Sequence, residues 1–263
     1  MSLPPLSLSI LGVEPLDEFI KEIADFVHYT IINRPPDLQG KVEVEAKVGQ
    51  LVDTSSNRRL ELPILVETII APQSIPLRFE SNMSVEQHKH FNTRLNELQN
   101  SSMQPGFPSS PLGYVHLKLY GLRETTKTGK VLECMRKIRL GDLNIYSPKR
   151  AVDWRVSVNL EVPVSHPIGS PTHTRKKDRL SYSHEEFSID LTQVTASTPN
   201  GPPTVMHELE IEIARPTLLL ATAAKRGDPN APELERSAFD ELIRAFVNNA
   251  RILVRNANEG WQP

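Results

Sequence analysis

The sequence predicts a mainly β protein with flanking helices, an antiparallel sandwich or barrel with helical segments at its ends. Three observations predict it. Short runs of alternating or β-branched residues follow one another through the middle of the chain, and clusters of proline, glycine, asparagine or serine separate most of them. Long apolar stripes at three- and four-residue spacing are confined to the stretch before Pro35 and the stretch after Pro232. Between them there is none of the strand–helix alternation that builds a parallel sheet.

Taken in order, Leu16, Phe19, Ile20, Ile23, Phe26, Val27 and Ile31 mark an amphipathic helix between Pro15 and Ile31, with Pro35-Pro36 beyond its end. Strand-like runs follow at 41–51, 61–70, 75–80, 113–121, 131–146, 152–164, 177–184, 186–194 and 204–214. Pro105-Gly106-Phe107-Pro108 and Pro199-Asn200-Gly201-Pro202-Pro203 punctuate the series, and one polar helix, Ser84 to Gln99, interrupts it. Leu234, Phe239, Leu242, Ile243, Phe246, Val247, Ala250 and Leu253 define a long closing helix. No internal repeat is present. The expected layout is one domain over 1–263: an N-terminal segment and helix at 1–36, strands over 41–214 and a C-terminal helix over 230–258.

Composition limits the function classes. The 263 residues are 38% hydrophobic and 24% charged, with 30 Lys plus Arg against 32 Asp plus Glu, a formal net charge of −2. That balance excludes a generally basic nucleic-acid binder and leaves local patches open. One cysteine, Cys134, permits no intrachain disulfide and suits a reducing compartment. No apolar run reaches the roughly 20 residues that span a bilayer. The opening MSLPPLSLSILG lacks a basic region and a small-residue cleavage site, so the expectation is an intracellular soluble protein.

The charge pattern of the strands is the informative feature. KVEVEAKVGQ, from Lys41, places Glu43, Glu45 and Lys47 on one face and Val42, Val44, Ala46 and Val48 on the other. HELEIEIA, from His207, sets Glu208, Glu210 and Glu212 against Leu209, Ile211 and Ile213. DWRVSVNLEV does the same with Asp153, Arg155, Ser157, Asn159 and Glu161, and THTRKKDRLSYSH with Arg175, Lys177, Arg179 and Ser181. For any one strand a solvated outer face is an adequate reading. Three glutamates in a row argue otherwise. Glutamate is a poor strand former, and like charges about 7 Å apart repel unless a cation or an opposing charged strand neutralises them. Charged faces turned inward would join carboxylates suited to Mg²⁺ or Mn²⁺ with basic groups suited to phosphate, a site for a nucleotide or RNA phosphate chain.

The acidic strands at Glu43–Lys47 and Glu208–Glu212 resemble the paired signature motifs of the triphosphate tunnel metalloenzymes. Between them YSPK at 146–149, SVNLEVPV at 157–164, KDRLSYSH at 177–184 and IDLT at 189–192 resemble the fungal branch, the mRNA-capping RNA 5′-triphosphatases. The likeness runs in order from about residue 10 to 230. It implies a closed eight-stranded antiparallel β-barrel, a hydrophilic tunnel on a base of helices and loops. It also implies Mg²⁺-dependent removal of the γ-phosphate from triphosphate-ended RNA, the first step of capping, with NTP hydrolysis when Mn²⁺ or Co²⁺ is supplied.

By that resemblance Glu43, Glu45 and Glu212 are the metal carboxylates, and Arg123, Lys177 and Arg179 grip the γ-phosphate. Glu161 orients the attacking water. Lys47, Lys137, Arg155, Arg175, Asp190, Glu208 and Glu210 line the tunnel in support. Arg155 stands where the relatives carry lysine, which keeps the charge and changes the hydrogen-bond fork. The resemblance further implies a homodimer in the nucleus. Trp154 and Trp261, the two tryptophans, supply no tryptophan-bearing segment ahead of the strands of the kind used for guanylyltransferase binding. Recruitment through RNA polymerase II or elongation-factor C-terminal repeats is therefore expected. The competing readings are an inorganic tripolyphosphatase-like or cyclase-like tunnel enzyme, a polyanion-binding scaffold that does not cut, and a purely structural sandwich.

Several residues read as non-functional. His207 shares the parity of Leu209, so it packs or meets solvent. His88 and His90, two apart on a helix, do not share a face. Cys134 has no partner pattern of a nucleophile, and Gly121, Gly129 and Gly141 are turn glycines without a GxxxxGK[ST] loop.

Overall fold

The computed structural model describes residues 6–7, 9–13, 17–101, 111–119, 122–127, 130–165, 173–197 and 201–257; the side chains of 100–101, 111–133 and 173–174 lie outside that description. The turn signals at 105–108 and 199–200, the turn glycines Gly121 and Gly129, and Trp261 fall outside it as well.

Helix α1 is Glu18–Ile32. The Asp17 carboxylate caps it by accepting from the Ile20 N–H at 3.2 Å, and Ile20, Ile23, Ala24, Val27 and Ile31 form its buried stripe. Four strands follow: β1 (Lys41–Asp53), β2 (Arg58–Arg59), β3 (Thr68–Ile70) and β4 (Leu77–Glu80). Helix α2 (Val85–Ser101) precedes β5 (Pro111–Leu119), β6 (Leu122–Lys127), β7 (Lys130–Tyr146), β8 (Asp153–Pro163), β9 (His173–His184), β10 (Phe187–Ser197) and β11 (Thr204–Ile213). Helices α3 (Pro216–Lys225) and α4 (Glu233–Arg255) close the chain. Sequence periodicity does not reveal α3, because TLLLATAA has no polar face to alternate with its apolar one.

The expected closed eight-stranded barrel is corrected by this sheet. Among the described residues it contains eleven strands, not eight, and its hydrogen-bonded order is a nine-strand path, β11-β10-β9-β5-β6-β7-β8-β1-β2, with β3 attached to β7 and β4 to β1 off that path. Strand length is the physical reason. β1 and β7 run for 13 and 17 residues, and their far ends overshoot the main neighbours. From Gln50 to Asp53 β1 pairs with β4, its last two residues also pair with β2, and the end of β7 pairs with β3. Unpaired backbone at such ends is satisfied by whatever short segment lies alongside. Every pairing recorded is antiparallel. β1 additionally pairs with β11, Glu45 opposite Glu212 and Lys47 opposite Glu210, so the sheet curls and turns one face in on itself.

The other face carries the main core. Val42, Val44, Ala46 and Val48 of β1, Trp154, Val156, Val158 and Leu160 of β8, and Leu209, Ile211 and Ile213 of β11 pack with Ile23 and Val27 of α1 and Phe239, Ile243, Phe246 and Val247 of α4. The terminal helices thus cover the apolar face, and the charged face is the inner one.

Candidate functional site

β1 is buried on both faces. Glu43 and Glu45 are each 5% exposed and Glu208 and Glu210 each 6%, which removes the reading of a solvated acidic face. Carboxylates this deep cost several kcal/mol each unless paired, and the curled sheet supplies the partners from opposite strands.

The pairs are specific. Lys47 Nζ on β1 reaches Glu210 Oε2 at 2.8 Å and Glu45 Oε2 at 3.5 Å. Lys137 on β7 contacts Glu43 and reaches Glu45 Oε1 at 3.3 Å. Arg179 on β9 donates to Asp190, to Glu210 Oε1 at 2.9 Å and to Thr192 Oγ1 at 3.2 Å. Arg175 Nη2 holds Glu208 Oε1 at 2.8 Å, where Ser81 Oγ also donates. Asn159 Nδ2 on β8 donates to both Glu43 and Glu45.

The electrostatics follow from this geometry. Burial opposes the charge of Lys47, but Glu210, Glu45 and Glu208 outweigh it and hold its pKa above that of an ordinary lysine. Lys137 is raised in the same way, Glu45 and Glu43 overcoming burial. Burial would raise Glu210, yet Lys47, Lys177 and Arg179 drive it well below the usual carboxylate range. Two groups go the other way. Burial, aided by the nearby Arg179 guanidinium and only partly offset by Glu210, lowers Lys177 to about 8. Burial and the neighbouring Glu43 raise Glu212 to about 8, and Lys41 Nζ lies 3.7 Å from its carboxylate. Glu212 is therefore the under-neutralised carboxylate of the face, and with Glu45 opposite it in register the all-oxygen donor chemistry fits a hard divalent cation. Among the described residues no three His, Cys, Asp or Glu side chains already converge as a ligand set; Glu43 and Glu45 are turned toward Lys137 and Asn159.

The structure places the other expected site residues as follows. Glu161 is buried on β8, between Lys41 of β1 and Lys137 of β7 in register. Lys177 is buried, while its neighbours Lys176 and Asp178 are exposed on the opposite face. Arg123 lies on β6, opposite Lys118 and Met135 in register, and its side chain is outside the described residues. Arg155 is not drawn to the acidic cluster: it donates to Asn144 Oδ1 at 2.7 Å, pairs with Asp142 at 3.4 Å, and its guanidinium lies 4.8 Å from the Phe79 ring. Sequence reasoning assigned no role to Asn159, Thr192 or Ser81. Strand parity marks the first two, while Ser81 precedes α2 and has no periodic signal. His207 is buried, its ring 4.6 Å from that of His88, on the side of the sheet away from the carboxylates. Burial, then the His207 ring, lowers His88 to about 4. Cys134 is half-buried on β7.

A curled antiparallel sheet that buries carboxylates and phosphate-matching cations on one inner face defines a phosphohydrolase. The chain belongs to the family described as mRNA capping enzyme, beta chain, whose model matches residues 13–259, and it is an RNA triphosphatase of the first step of mRNA capping. It is 35% identical over 272 residues to the mRNA-capping enzyme subunit beta of Schizosaccharomyces pombe, across 97% of this chain and 86% of that one. The subunit of the same name from Cryptococcus neoformans is 32% identical, across 96% of this chain and 65% of that protein. The solved structure of S. pombe Pct1 RNA triphosphatase superposes with a TM-score of 0.86 at 33% identity, covering 98% of this chain and 100% of that one. The same values hold for Pct1 in complex with the Spt5 CTD.

Proposed function

We propose that this triphosphatase is metal-dependent and cleaves the γ-phosphate inside the curl of the sheet, Glu43, Glu45 and Glu212 holding the cation. The observation that supports this reading is the burial of carboxylates beside phosphate-matching basic groups on one inner face. Magnesium is the expected ion for RNA, with manganese or cobalt for nucleoside triphosphates. When bound it supplies charge neutralisation at the γ-phosphate oxygens.

The protein groups do the rest. Lys177, Arg179 and Arg123 grip the γ-phosphate and match the charge that spreads over its equatorial oxygens. Arg179 is preorganised by Asp190, Thr192 and Glu210, so little rearrangement is needed at the moment of reaction. Glu161 aims the attacking water, and phosphoryl transfer asks little more of a base. Lys47, Lys137, Arg175, Glu208 and Glu210 keep the inner face electrically balanced before substrate enters. Arg155, held by Asn144 and Phe79, supports the wall.

The test is release of γ-phosphate from triphosphate-ended RNA with Mg²⁺, beside tripolyphosphate and beside EDTA. RNA turnover that EDTA abolishes is expected. Undiminished turnover after exhaustive chelation would overturn the metal assignment, and preference for tripolyphosphate would overturn the RNA substrate.

A pH dependence follows from Lys177. Its folded pKa of about 8 lies below the ordinary lysine value of 10.5, so the free enzyme loses this cation as pH rises through about 8. The kcat/KM for RNA should fall on that limb, and Lys177→Arg, which stays charged, should move the fall to higher pH. The sign for stability is the reverse: between about 8 and 10.5 the unfolded chain binds the extra proton, so this group favours the fold as pH rises. A kcat/KM flat to pH 9.5 in the wild type removes Lys177 from the phosphate site.

For partners, the Pct1 complex with the Spt5 CTD supports recruitment through an elongation-factor C-terminal repeat; action in the nucleus belongs to the same proposal. We assign the homodimer to the same proposal, checked by sedimentation at micromolar concentration.

A further inference from the structure

The geometry points to Asn159 as the positioning residue of the carboxylate pair on β1, its amide tying Glu43 and Glu45 together in the orientation that receives the cation. This inference rests on the metal reading given under Proposed function. Asn159 stands directly opposite Glu43 in the β1–β8 register and is 2% exposed. Its Nδ2 donates to Glu43 Oε2 at 3.0 Å and to Glu45 Oε1 at 3.2 Å. One planar NH₂ group thus engages one oxygen of each carboxylate. Two carboxylates about 7 Å apart along a strand would otherwise swing away from each other.

Asparagine is a poor choice for this position on structural grounds alone. It is depleted in strands, and an enclosed amide is costly unless its donors are satisfied. On β8 its chain neighbours Val158 and Leu160 are fully buried in the apolar core. The two carboxylates are what make an amide favourable here.

Lys137 approaches the same oxygens from β7, but its chemistry differs. An ammonium on a flexible stem neutralises the pair and repels a divalent cation. The amide is neutral. By donating to one oxygen of each carboxylate it fixes their rotamers without competing for the cation's place. Partners of this kind behind metal carboxylates typically set affinity by about 10- to 100-fold.

The experiment is Mn²⁺ binding to the full chain, by calorimetry or by the spectrum of free Mn²⁺, for the wild type, Asn159→Ala and Asn159→Ser. Thermal melting and γ-phosphate release against Mn²⁺ concentration accompany it. The expected result is a loss of Mn²⁺ affinity of about 10- to 100-fold in Asn159→Ala, a matching rise in the Mn²⁺ needed for half-maximal rate, and a kcat largely restored at saturating Mn²⁺. Asn159→Ser keeps one short donor and should fall between; it decides the question if the alanine variant does not fold. Wild-type affinity in both variants, with or without a lower Tm, overturns the role of Asn159 and leaves the metal reading standing. A wild type that binds no Mn²⁺ overturns the metal reading itself, and this inference with it.

Discussion

Glu45→Ala should abolish γ-phosphate release, lowering the rate on the order of 10³-fold, because under the proposed metal mechanism one carboxylate would supply both a cation ligand and the charge that anchors two lysines. Glu45 meets Lys47, Lys137 and Asn159 and faces Glu212 across β1–β11. The same substitution should leave the fold largely intact. Stranding a buried charge costs about 3–5 kcal/mol, but neither lysine is stranded here. Lys47 keeps Glu210 at 2.8 Å, and Lys137 keeps Glu43. Redundant pairing therefore separates activity from stability at this residue. Glu45→Gln sharpens the contrast: it retains volume and an acceptor for Asn159 while removing the charge, and should be nearly as inactive as the alanine variant. Phosphate release and thermal melting of the three proteins side by side are the measurement. An active Glu45→Gln would mean that the inner face works without this carboxylate's charge.

How much of this was legible in the sequence depends on the physics involved. The alternation of β1, β8 and β11 reads directly, because a strand has period two and each of these keeps it for six residues or more. Which face turns inward cannot come from parity, since either assignment satisfies it. The repulsion among Glu208, Glu210 and Glu212 argued for the inner face, and the burial of Glu208 and Glu210, with Glu212 half-buried, agrees with the argument. The number eight came from the family resemblance; the strand-like runs themselves number nine and include β3 and β4 within 61–70 and 75–80, but none marks β2, two residues long, or β6. β2, β3 and β4 lie where β1 and β7 overrun their neighbours. The side chain of Arg155 shares the parity of Glu161, yet Asn144, Asp142 and the Phe79 ring draw it sideways. Those partners come from β7 and β4, so no reading of β8 alone could place it. Asn159 was visible on the charged face, but a neutral residue gives no electrostatic signal of its own. Its role emerges only when Glu43 and Glu45 are seen on either side of one amide.

Gly49→Ala should be the most damaging small substitution to the fold. A Cβ built at Gly49 would lie 2.2 Å from the backbone oxygen of Glu80 and 2.7 Å from the tip of the Phe79 ring. The obstacle is backbone, so no side-chain rotation relieves it; β4 must move away from β1. That segment pairs with β1 from Gln50 to Asp53, and Leu77 and Phe79 pack against Leu51, Leu60, Ile70 and Tyr146 in a second apolar cluster. Moving it opens this cluster and removes the ring beside Arg155. Overpacking typically costs about 1–3 kcal/mol and occasionally more; a backbone clash belongs at the top of that range. For a chain of this size about 3 kcal/mol lowers Tm by roughly 6–12 °C. Gly141→Ala is the control, because its Cβ would meet side chains alone, the Phe26 ring at 3.2 Å and the Thr30 methyl at 3.7 Å, and a ring edge can yield by a few tenths of an ångström. Its Tm should stay close to that of the wild type. If both variants melt together near the wild-type temperature, the close approach of β4 over Gly49 is not what holds the second cluster. If Gly49→Ala alone falls, loss of activity should track the folded fraction, because Glu43, Glu45 and Lys47 lie on the other stretch of β1 and the remaining carboxylates and lysines of the inner face lie on β7, β8, β9, β10 and β11.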